Sequence, residues 1–132
     1  KVDYILLLTF VCFFIFIGNL SSIPFIKSFA KDLMQNKTTT YFTSIILSQI
    51  VSNVPCSILL ANFTLNWKEL LLGVNIGGLG TLVASLASVI SYKLYMKNRT
   101  TNAQNRYLSL FALYNFISLV VFTFIIYFVF IF

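Results

Sequence analysis

The chain has no histidine, and only three of its 132 residues are acidic: Asp3, Asp32 and Glu69. General acid–base catalysis and metal-assisted hydrolysis both need a cluster of titratable or ligating side chains. Three scattered acids and no imidazole assemble no dyad, triad or metal set. We therefore expect no enzyme, no catalytic residue, no metal beyond a transported cation and no bound cofactor. Proton-driven carriers place a carboxylate or a histidine inside the membrane, and the three acids here fall at the edges of the apolar runs. Charged residues make up 9% of the chain, against about 25% in an ordinary soluble domain, too few to coat a globule in water. The two cysteines, Cys12 and Cys56, lie in apolar runs and are expected as free buried thiols.

What is abundant is apolar. The chain is 59% hydrophobic, with 15 Phe and seven Tyr, and its mean hydropathy is +0.93. The expected class is an all-α integral membrane protein, with lipid as a partner. The formal charge of +6 is spread over short loops between apolar runs, which is a topology signal and not a nucleic-acid surface. Five segments follow. Residues 4–20 form an apolar membrane helix just long enough to span. Residues 22–36 form an amphipathic helix lying in the interface, capped by Ser21 or Ser22 with Pro24 in its first turn. Residues 39–64 and 67–97 are interrupted, and residues 105–132 are a long apolar span. Lys93, Lys97, Arg99 and Arg106 place the loop before the last span in the cytoplasm. Counting back puts Trp67 and the 39–64 segment on the external side and Lys1 in the cytoplasm, although Lys27, Lys31 and Lys37 pull the other way.

Both interruptions are informative. The apolar arm before Ser48 to Asn53 runs roughly 13 residues, about 20 Å as helix, and the arm after it is shorter. A hydrocarbon core of about 30 Å needs roughly 20 residues. Two half-lengths joined at a polar, proline-bearing tip read as a re-entrant hairpin; one kinked span is the plainer alternative. In the second segment, Gly77, Gly78 and Gly80 interrupt an apolar run that is expected to resume from Thr81 to about Met96. Three glycines in four residues favour a broken helix, while close packing on a neighbouring helix is the alternative use. Helix starts after each break offer N–H donors and partial positive charge to an anion. The preceding helix ends expose carbonyl oxygens that, with Ser48, Ser52 and Asn53, can hold a dehydrated cation such as sodium.

At Ser48-Gln49-Ile50-Val51-Ser52-Asn53-Val54-Pro55 and across 73–88 the sequence resembles the ion transporter superfamily of divalent anion:sodium symporters, citrate carriers and arsenite permeases. The shared pattern is a Ser-Asn hairpin tip followed by an unwound glycine-rich helix with a small-residue tail; Gly18-Asn19-Leu20 and the segment order also agree. The resemblance implies the C-terminal half of an inverted-repeat transporter, a piece of a longer permease whose N-terminal repeat would be a partner, with a homodimer as a further option. It implies that Ser48, the Val51 carbonyl, Asn53, Gly77 and Gly78 border a sodium site, and that Ser52, Val54, Gly80 and Thr81 face a small anionic solute. Val54 departs from the dicarboxylate branch, which carries Thr there and gains a hydroxyl. The expected function is sodium-coupled movement of a small anion or oxyanion by alternating access. The alternatives are a sodium/proton antiporter of the same superfamily and a non-transporting membrane assembly subunit.

Overall fold

A computed structural model describes residues 4–96 and 101–132, and every regular element among them is helical. In chain order these are α1 (Tyr4–Leu20), α2 (Pro24–Leu33), α3 (Lys37–Val51), α4 (Asn53–Ala61), α5 (Trp67–Gly77), a 3-10 turn (Leu82–Ala84), α6 (Leu86–Met96) and α7 (Thr101–Ile126). A short π-helical stretch, Tyr127–Ile131, ends α7. The calls on Lys1, Asp3, Lys97 and Arg99 lie outside the described residues.

Among the described residues, Arg106–Ile131 is the one stretch long and apolar enough to cross a membrane. The apolar N-terminal stretch has 17 described helical residues, about 26 Å at 1.5 Å each, the lower end of the length of a span. The helix ends where Ser21 and Ser22 hydroxyls donate to the Gly18 carbonyl. Those serines thus close α1 and do not cap α2, whose N-cap is Ile23 with Pro24 at its first position. α2 leaves α1 at 89°, turning Lys27 and Lys31 outward and burying Ala30.

Residues 39–64 do not form one rod. Ser52 breaks them at φ +71°, and α4 folds back along α3 so that the Cys56 thiol meets the Ser44 carbonyl at 3.6 Å. At the open end the Thr40 and Thr64 hydroxyls are 3.5 Å apart, whereas a straight helix would separate them by about 36 Å. The Met34 carbonyl, just past α2, accepts from both of these hydroxyls at 3.2 Å. α2 and the hairpin base are thereby joined.

α3, α4 and α5 pack mutually, and small residues set the approach of α3 to α5. A Cβ on Gly73 would lie 2.6 Å from the Tyr41 carbonyl oxygen, and one on Gly77 would lie 2.7 Å from the Ser48 Cβ. Ser44 and Ser48 on one helix therefore face Gly73 and Gly77 on the other, the four-residue spacing that lets two backbones approach. Apolar packing flanks this seam. Ile17, Met34, Cys56, Leu59, Leu60, Leu70 and Val74 close one side; Tyr41, Ile45 and Ile76, backed by Leu119 and Ile126 of α7, close the other. α1 and α7 leave most of their apolar side chains exposed, a surface that matches lipid or another apolar element. Cys56 is buried as expected, but Cys12 is exposed on α1. Glu69, in the first turn of α5, is 8% exposed and pairs with Lys37 at the start of α3 at 3.7 Å.

Candidate functional site

The tip of the hairpin is built from what its backbone cannot do. In a continuous helix the Ile50 and Val51 carbonyls would accept from residues 54 and 55. The Val54 N–H instead turns onto the Asn53 Oδ1 at 2.9 Å, and Pro55 has no N–H. Two carbonyl oxygens at the end of α3 thus lose their helical donors at the point where the chain reverses. Ser52 occupies the N-cap position of α4 without capping it. Its hydroxyl reaches across to the Ala84 carbonyl at 3.4 Å.

The glycine break lies directly against this tip. α5 ends at Gly77, and the chain then turns through Gly80 at φ +100°, a conformation that side-chain-bearing residues rarely adopt. The helix does not resume at Thr81 as expected. Thr81 caps a single 3-10 turn, its hydroxyl accepting from the Ala84 N–H at 3.2 Å. α6 starts only at Leu86, where the Ser85 hydroxyl accepts from the Ala87 N–H. The extended backbone of Ser85 ends the 3-10 turn, and its hydroxyl caps the start of α6.

The structure brings most of the sequence-derived residues into one cluster. Ser48 is fully buried, and its hydroxyl would stand 2.9 Å from a Cβ on Gly77. The Asn53 amide nitrogen would stand 3.0 Å from a Cβ on Gly78. Gly80 and Thr81 lie against α3 near Gln49. Val54 stands off, with its side chain 40% exposed.

One central residue escaped the sequence reading. The Gln49 Nε2 donates to the Gly77 carbonyl at 2.6 Å, to the Leu79 carbonyl at 3.2 Å and to its own helix at Ile45. Its Oε1 accepts from the Thr81 N–H at 3.1 Å, and its backbone carbonyl accepts from the Thr81 hydroxyl at the same distance. A signal was available, since an amide at the end of an apolar arm demands partners. Its position beside Ser48 and Ser52 let it pass as one more polar tip residue.

The opposite side of the tip is apolar. A cavity of about 270 Å³ runs between α1, the tip and α6, walled by Phe10, Phe13, Ile50, Val83 and Leu86 and bordered by Ser52 and Lys93. The polar groups of the two breaks therefore converge on the α5 side, while the α1 side offers little to a charged solute.

The described residues form an all-helical fold compatible with a membrane protein, and the similarities of the chain agree with that broad class. It is 44% identical over 94 residues to an uncharacterized transporter of Methanocaldococcus jannaschii, a match covering 71% of this chain and 26% of the relative. It is 36% identical over 95 residues to the inner membrane protein YbiR of Escherichia coli, with the same coverage of each chain. The chain thus spans about a quarter of the length of the curated relatives it matches. Their names point to a membrane transporter family, and the chain is an inner-membrane protein. No family model and no solved structure matches it.

Proposed function

We propose that this chain is the C-terminal repeat of a secondary active transporter that moves a small anion or oxyanion, coupled to sodium, by alternating access. The observation that carries the proposal is the meeting of the two breaks. Groups 28 to 32 residues apart in sequence are hydrogen-bonded between the hairpin tip and the glycine turn. Irregular backbone of this kind is tolerated at membrane depth only where it is buried in protein or lines a cavity, and discontinuous helices at mid-membrane are a recurring way to bind ions and solutes.

In this reading the Val51 carbonyl, Ser48, Asn53, Gly77 and Gly78 border the cation, which needs oxygen ligands to replace its hydration shell. Ser52, Val54, Gly80 and Thr81 face the anion near the start of α4, where the helix dipole favours negative charge. The hairpin dips into the bilayer and returns to its side of entry, and an inverted N-terminal repeat supplies the other half of the site. The protein carries out no covalent chemistry and needs no cofactor.

Uptake of labelled succinate, citrate and arsenite by the full protein in proteoliposomes, with and without a sodium gradient, tests the proposal. Sodium-stimulated uptake of at least one of them is the expected result. Sodium-independent uptake removes the coupling. A sodium-driven pH change with no anion movement selects an antiporter, and no flux of any kind leaves an assembly role.

A further inference from the structure

Gln49 makes the contacts that join the two breaks, and the geometry around it is shaped for an amide. The Gly77 carbonyl, the last of α5, and the Leu79 carbonyl just beyond the helix both receive the Gln49 NH2 group. The Thr81 N–H, at the start of the 3-10 turn, meets the Gln49 oxygen. A carboxamide presents two N–H donors and an acceptor on one planar group. Gly80 completes the fit: a Cβ there would lie 2.5 Å from the Gln49 Oε1, so a side chain at position 80 would collide with the amide oxygen.

We infer that Gln49 is the positioning residue that assembles the site, locking the hairpin tip to the glycine turn through the two ends of its amide. The inference rests on the functional reading above and adds a residue and a role to it. Gln49 does not itself touch the solute. It occupies the Gly77 carbonyl and the Thr81 N–H, and so fixes the orientation of the neighbouring groups that remain open. The described groups around the amide from α5, the glycine turn and α7 are Gly77, Leu79, Thr81 and Leu119, none of them titratable.

That neutral surrounding makes Gln49→Glu a discriminating variant. A protonated carboxyl keeps one O–H donor and one acceptor, enough to replace the short bond to Gly77 and the bond from Thr81, although the amide has a second donor. An ionised carboxylate keeps only acceptors and faces the Gly77 and Leu79 carbonyls unfavourably. Gln49→Glu and Gln49→Leu are compared with the wild type in the full protein in proteoliposomes, at neutral and acidic pH. One readout is hydrogen exchange of the backbone amides across 79–84; the other is uptake of succinate, citrate and arsenite relative to the wild type at the same pH.

At neutral pH both variants are expected to exchange this segment at least about tenfold faster and to lose at least about tenfold in uptake, the scale of a few lost hydrogen bonds. Acidification is expected to restore Gln49→Glu in both readouts and to leave Gln49→Leu unchanged. Wild-type exchange in Gln49→Leu, or no recovery of Gln49→Glu in acid, overturns the inference. If the wild type carries none of the three anions, the transport proposal fails while the exchange measurement still decides the role of Gln49.

Discussion

Ser52 holds φ +71° and ψ 154°, a part of backbone space that in practice belongs to glycine and costs about 1–3 kcal/mol for other residues. A serine kept there, 7% exposed and bonded to Ala84, has strain that a glycine would relieve. Ser52→Gly is expected to raise thermal stability in detergent by about 1 kcal/mol while lowering transport, because the hydroxyl is lost with the strain. Equal or lower stability would show that the backbone is not strained. Asn53 acts differently, since its side chain turns the Val54 N–H away from the helix ladder. Asn53→Ala is expected to weaken sodium or anion binding by about 1–3 kcal/mol, the scale of a polar partner lost from a site that binding closes off from water. Calorimetric titration with sodium and then with the transported anion measures this, and an unchanged affinity removes Asn53 from the site. Both residues were legible in the sequence as polar interruptions of an apolar run. The strain at Ser52 was not, because a dihedral angle is set by the folded chain on both sides of it.

At the level of elements, the seam between α3 and α5 depends on the absence of side chains. The glycines of this region read in sequence either as a helix break or as packing devices, and the structure divides the two uses among them. Gly73 and Gly77 let the helices approach, while Gly78 and Gly80 carry the turn. Gly77→Ala places a Cβ 2.7 Å from that of Ser48 and is expected to cost about 1–3 kcal/mol, as overpacking does. Combining it with Ser48→Gly is expected to recover part of that loss, a coupling that a double-mutant cycle of denaturation measurements detects. Simple additivity would mean that the two positions do not press on each other. The delayed start of α6 belongs to this level too. Glycine content located the break, but the extended backbone of Ser85 and its hydroxyl cap decided where the helix begins again.

For the whole molecule, the closed base of the hairpin makes a topological claim. The Met34 carbonyl, Thr40 and Thr64 meet there, so residues 35 and 65 sit at one end of the structure. In a background with Cys12→Ser, Gln35→Cys and Leu65→Cys are expected to react with a membrane-impermeant thiol reagent from the same side, the external one by the charge distribution. Labelling from opposite sides would mean that 39–64 crosses the bilayer. The exposed apolar surfaces of α1 and α7 agree with lipid or a second repeat around them.

Composition and local chemistry alone determined the membrane class, the helical character and the places where helices are interrupted. A proline, a polar tip or a run of glycines disrupts an apolar helix wherever the rest of the chain goes. Tertiary structure alone decided which groups meet at those interruptions. The Gln49 amide reaches Gly77, Leu79 and Thr81 because close packing of α3 on α5 sets their register, and no local pattern in the sequence carries a pairing between residues that far apart.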